Sequence, residues 1–159
     1  MTTTSSTDSS IQPGQPRLGA LLRIAHENVQ AAVYEQTAAA GYGQLRPAHF
    51  RLLRFPGLDG SRPSGLAQRL GTAKQAIHPL LNDLEAWDYI ERRADAQDRR
   101  GRVIWLTPRG RELMATITNL HLQIEKDWAK RAGPARFQTV LQVLNEIARA
   151  PEESASHES

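Results

Sequence analysis

A chain of 159 residues with 40% hydrophobic content suits one domain with a real core and is too short for two ordinary ones. Its net charge is +3, and the absence of cysteine excludes disulfides, thiolate metal sites, cysteine nucleophiles and thiol-based redox sensing. No apolar run approaches the length of a membrane-spanning helix, and MTTTSSTDSS lacks the basic start and apolar stretch of a secretory signal, so a cytoplasmic location is expected.

Residues 1–16 are Ser/Thr-rich and close on Pro-Gly-Gln-Pro, the composition of a disordered tail; the polar, acidic segment 150–159 reads the same way. Between them, 17–149 form a single domain of mostly helical pattern. Leu18, Leu21, Leu22, Ala25, Val29, Ala32, Val33 and Ala39 predict an amphipathic helix over Arg17–Ala40, ended by Gly41-Tyr-Gly43. Pro47 suits the first turn of a second helix with Phe50, Leu52 and Leu53 inside, and Pro56-Gly57 stops it. Pro63 opens a short third helix that buries Leu66, Ala67 and Leu70 and ends at Gly71.

Thr72 is expected to cap a fourth helix, with Gln75 completing a T-x-x-Q capping box. Ile77, Leu80, Leu81 and Leu84 share its apolar face; Lys74, Gln75, His78 and Asn82 share the wet one. Pro79 lies inside this helix. It removes the bond to the Gln75 carbonyl and predicts a kink or a loosened turn.

Two strand-like runs, Tyr89–Arg93 and Arg102–Leu106, flank the polar segment Ala94–Gly101. Residues 91–111 hold seven arginines against three acids, a local excess of four. The planar guanidinium fork matches phosphate geometry; a charged hairpin that only resists edge pairing is the competing reading. Segment 61–111 holds ten basic residues and six acids, whereas the remainder holds ten and eleven. A basic excess confined to mid-chain is the footprint of a nucleic-acid binder. Thr107-Pro108 then starts a fifth helix marked by Leu113, Ile117, Leu120, Ile124 and Trp128. Gly133-Pro134 breaks it, and Phe137, Val140, Leu141, Leu144 and Ile147 mark a sixth. The expected fold is mainly α with a small β-wing, a winged helix-turn-helix flanked by further helices.

The runs L-A-Q-R-L-G (66–71), T-A-K-Q-A-I (72–77), L-N-D-L-E (81–85), Y-I-E-R-R (89–93), D-R-R (98–100) and V-I-W-L-T-P-R-G (103–110) together resemble the MarR family of bacterial transcriptional regulators. The resemblance spans about residues 17–149 and is densest over 64–111. It implies a homodimer in which helices within 17–46 and 108–149 interlock two copies, while 47–107 forms the DNA-binding lobe. It further implies a fourth helix in the major groove of a double-stranded, pseudo-palindromic operator and a wing in the adjacent minor groove. Release by a small aromatic or phenolic effector follows from the same resemblance. Family members usually carry Gly near Asp88, a position where Asp tolerates a left-handed turn.

Against that frame, Lys74, Gln75 and His78 are the candidate base readers, since Gln pairs bidentately with adenine and Lys donates to guanine. Gln75 also has the competing task of the capping box. Ser64 and Thr72 stand near helix starts, where they suit a phosphate or act as caps alone. Arg100 matches the wing arginine of the D-x-R motif and suits a narrow minor groove, with Asp98 as its brace. Arg99 and Arg102 suit phosphates, and Arg93 either does so or lies along the strand surface. His26 and His49 are candidates for an effector pocket, against the plainer role of buried core or interface residues.

The five histidines show no paired helical spacing, so neither a metal nor a cofactor is expected. Paired carboxylates, a nucleophile with its base and a Gly-rich phosphate loop are all missing, so the chain does not read as an enzyme. The leading expectation is a sequence-specific repressor released by a ligand. A ligand-insensitive or architectural DNA binder is the alternative. A protein-interaction module would need neither the Arg-tipped wing nor the polar outer face of the fourth helix.

Overall fold

Proline begins four of the helices, because its ring presets a helical φ and its missing N–H would be unpaired there anyway. The computed structural model describes residues 16–54, 57–95 and 101–154, with side chains to 149. Its elements run α1 (Leu18–Thr37), a π-helical turn (Ala38–Tyr42), α2 (Pro47–Leu53), α3 (Pro63–Arg69), α4 (Lys74–Ala86), β1 (Ile90–Ala94), β2 (Arg102–Leu106), α5 (Pro108–Ala132) and α6 (Pro134–Ser154). The fold is mainly helical with a two-stranded antiparallel wing.

Val33 of α1, Phe50 and Leu53 of α2, Leu66 of α3, and Ile77, Leu81 and Leu84 of α4 are buried in one core with Tyr89, Ile90, Ile104, Leu113 and Ile117. Burying each large side chain contributes roughly 1.5–3 kcal/mol, which is what orients the short α3 and the two-stranded wing that are marginal alone. The stripe expected to bury α1 does so only in its second half. Leu18 and Leu21 stay about half exposed, and so do Val140 and Ile147 of α6. These residues, with Trp128 of α5 and Phe137 of α6, line an apolar hollow of about 540 Å³.

Two expectations are corrected. Thr72 does not cap α4: the N-cap is Ala73, and no side chain caps it. The reason lies in the preceding turn. Gly71 takes φ +60°, its N–H donates to the Gln68 carbonyl, and the Thr72 N–H donates to the Ala67 carbonyl, so Thr72 closes α3. Pro79 lies inside α4, which is continuous from Lys74 to Ala86. α6 continues through Pro151 to Ser154, into the segment read as a tail from 150. One proline removes one helix bond while its φ stays helical. Residues 1–15 and 155–159 lie outside the described residues.

Candidate nucleic-acid interface

α3 and α4 are joined by the left-handed Gly71, which sends α4 off the end of α3 with its N-terminal half exposed. α4 ends in a second left-handed turn. Asp88 takes φ +60°, its N–H donates to the Glu85 carbonyl at 3.0 Å, and the Tyr89 N–H donates to the Leu84 carbonyl at 2.8 Å. That turn delivers the chain into β1.

The wing pairs Ile90 with Leu106, Arg92 with Ile104, and Ala94 with Arg102; Glu91 with Trp105 and Arg93 with Val103 fall on the opposite face. The two adjacent arginines therefore do different things. Arg92 turns toward α4, where its Nε donates to Glu85 at 2.9 Å and its Nη2 to the Asn82 side-chain carbonyl at 2.7 Å. Its backbone N–H also reaches Glu85 at 3.1 Å. The hydrogen bonds from Arg92 hold the Glu85 carboxyl below its ordinary value. Arg93 faces outward, pairs with Glu91, and lies 5.7 Å over the Trp105 ring.

The wing is also anchored from the loop before α3. Asp59 accepts the Leu106 N–H at 2.6 Å and the Arg111 guanidinium at 2.8 Å. The Gly60 N–H donates to the Ile104 carbonyl at 2.8 Å, and the Ile104 N–H to the Ser61 carbonyl at 2.9 Å. Arg62 donates to Asp95 at 2.7 Å, linking the N-terminus of α3 to the wing. α3, α4 and the wing are thus braced as one unit before anything binds it.

Where these elements meet, Arg62, Pro63, Ser64, Lys74, His78, Gly101 and Arg102 line a hollow of about 270 Å³. Donors from both helices and from β2 converge there, with no carboxylate among the described lining residues. Such a surface suits an anion carried by a convex partner.

A model of the MarR family matches residues 44–101. A transcriptional regulator from Thermotoga maritima is 26% identical over 87% of this chain and 96% of its own, with a TM-score of 0.64. CouR, a transcriptional repressor solved on a 23-mer DNA duplex, is 27% identical over 84% of this chain and 93% of its own, with a TM-score of 0.66. The reduced form of MarR from E. coli shares the fold at 19% identity, covering 84% of this chain and 97% of that one, with a TM-score of 0.72. No curated protein matches the chain.

Residues 44–101 carry the MarR-family pattern, and the chain shares the fold of that family's transcriptional regulators. It is a winged-helix transcriptional regulator of the DNA-binding kind. The matched segment carries α2, α3, α4 and β1 and ends just before β2. Of the residues singled out in the sequence, Ser64, Lys74, His78 and Arg102 meet at the one hollow. Gln75 is exposed beside Lys74 on α4. Thr72 faces away, into a hollow it shares with Ala48, Arg51 and Leu70. Arg93 sits on the outer face of the wing, apart from the others. Asp98, Arg99 and Arg100 lie outside the described residues.

The two effector candidates are not brought together. His26 is exposed on α1. His49 is fully buried; its Nδ1 accepts the Arg46 N–H at 2.9 Å and its Nε2–H donates to Asp83 at 3.1 Å. That ring is a strut between α2 and α4. Among the described residues, no three His, Asp or Glu side chains gather as a metal site, and no helix is long and apolar enough to cross a membrane.

Three contributors had been passed over in the sequence. Arg62 and Arg92 were legible only as charge, and Asp59 as a loop acid. Their partners lie 33, 7 and 47 residues away, and no local spacing marks such pairs.

Proposed function

We propose that this chain is a dimeric, sequence-specific DNA-binding repressor that sets α4 in the major groove and the wing in the adjacent minor groove. The convergence of Ser64, Lys74, His78 and Arg102 on one exposed hollow carries this reading. In it, Lys74, Gln75 and His78 meet base edges, and Ser64, Arg93 and Arg102 meet phosphates. Arg99 and Arg100, by their chemistry and their position in the sequence between β1 and β2, add phosphate and minor-groove contacts, with Asp98 bracing Arg100. Support comes also from CouR, a repressor solved on a DNA duplex.

A second copy fits the apolar hollow between α1, α5 and α6, where half-exposed leucines and valines stand otherwise in water. Twofold pairing would place two recognition helices about 34–36 Å apart, one turn of DNA. Release by a small aromatic effector belongs to the same reading. The alternative, a ligand-insensitive binder, is favoured by one observation: His49 is closed by its own hydrogen bonds and His26 lies apart from it.

The test is binding to a duplex from the chain's own upstream region across a salt series. Affinity should fall steeply with salt, with a slope near −0.9 per phosphate neutralised. Arg102→Ala should flatten that slope by about one, Lys74→Ala should relax base preference at one position, and Arg100→Ala should lose discrimination for A·T tracts. Salt-independent binding, or three variants indistinguishable from wild type, would reject the assignment. Adding a panel of phenolic and aromatic acids separates the two readings, because only the ligand-responsive one allows release.

A further inference from the structure

α4 carries a residue that weakens it. Pro79 is sixth in a thirteen-residue helix and has no N–H for the Gln75 carbonyl. Nothing inside the molecule requires it there: Ile77, Leu81 and Leu84 make the buried face, and Pro79 is exposed. At about 100° per residue, Gln75, Pro79 and Asn82 fall within about 60° of one another, opposite Ile77. Asn82 is already held by Arg92, at 2.7 Å. The outermost ridge of α4 therefore consists of a free amide side chain followed, one turn on, by a rigid apolar ring.

That combination matches one feature of the major groove. Thymine alone shows an apolar group there, its C5-methyl, and it is read by apolar contact. A proline ring offers such a contact with no rotamer freedom to lose. Gln75 and Pro79, as i and i+4 neighbours, stand about 5–6 Å apart, against about 3.4 Å per base step. We propose that Pro79 is a specificity-determining residue whose ring packs on the methyl of a thymine one or two steps from the base met by Gln75. This inference rests on the DNA-binding reading above and deepens it by naming part of the sequence preference.

The full-length protein is used to select duplexes from a random library, and each thymine of the selected duplex is then replaced singly by deoxyuridine, which removes only the methyl. At one position the wild type should lose about fourfold in affinity, the burial of one methyl group. Pro79→Ala should be indifferent at that position. Pro79→Val, which restores the N–H but keeps apolar surface, should retain most of the penalty, assigning the effect to the ring rather than to the freed carbonyl. Both variants should melt no lower than wild type, since each restores a helix bond. A wild type that tolerates every deoxyuridine within twofold, or a penalty that survives in Pro79→Ala, overturns the proposal. Failure of the wild type to enrich any duplex would instead reject DNA binding itself, and the role of Pro79 with it.

Discussion

Gly110 lies so close beneath the carbonyl of Tyr89 that a Cβ built on it would stand 1.9 Å from the oxygen. The contact joins the start of α5 to the entry of the wing. Thr107 secures the same corner: its hydroxyl donates to the Asp88 carbonyl at 2.5 Å and accepts the Gly110 N–H at 3.0 Å. The L-T-P-R-G run is thus a structural clasp. Gly110→Ala should destabilise the fold by about 3 kcal/mol or more, at or beyond the upper end of ordinary overpacking because the obstacle is backbone. Urea unfolding measures this, and a variant within about 0.5 kcal/mol of wild type would show the clasp to be slack.

Acid should weaken the protein through two rings. Burial lowers the proton affinity of His49, with Arg46 adding to it against the pull of Asp83. Burial does the same at His121, with Arg54 adding to it against Glu125. Depressed folded values mean that the unfolded chain takes up protons first. Stability is therefore full above the ordinary value of 6.5 and declines as pH falls below it toward the folded values. Unfolding free energies at pH 7.5 and 5.0 should differ in that direction, and His121→Gln should reduce the difference. A profile with no decline below pH 6.5 contradicts the burial of both rings.

Arg92→Ala should cost about 1 kcal/mol of stability, because its pairing with Glu85 is only partly shielded from water. Its effect on DNA affinity should be larger than that of a single phosphate contact, since the wing loses its tie to α4. Arg92→Lys should not restore either, as one ammonium cannot span Glu85 and Asn82 as the guanidinium does. Full rescue by lysine would mean that charge alone holds the wing.

Leu21 and Val140 are 50% and 52% exposed on the rim of the apolar hollow. Sedimentation of the wild type should give a dimer, and Leu21→Glu or Val140→Glu should give a folded monomer with weakened operator binding. A monomeric wild type at micromolar concentration would exclude the twofold arrangement.

Element boundaries were largely written in local chemistry. Proline at 47, 63 and 108 and the Gly133-Pro134 pair mark helix ends because they act on the backbone where they stand. The basic bias of the wing was equally plain. Thr72 misled because the same T-x-x-Q spacing serves a cap only if the threonine amide is not already closing the preceding helix, and here it donates to Ala67. β2 was read with its full bounds, whereas β1 begins one residue late, at Ile90, because the Tyr89 amide is spent on ending α4.

By itself the sequence determined the helical order, the helix-turn-helix with its wing, the family resemblance and the basic bias of the mid-chain segment, since each depends on periodicity or on residues a few positions apart. Tertiary structure alone decided which of two neighbouring arginines braces α4 and which faces outward, that His49 is a strut against Asp83, and that half of the apolar stripe on α1 is left uncovered. Those outcomes hang on strand register and on partners up to dozens of residues away, and such distances close only when the core packs.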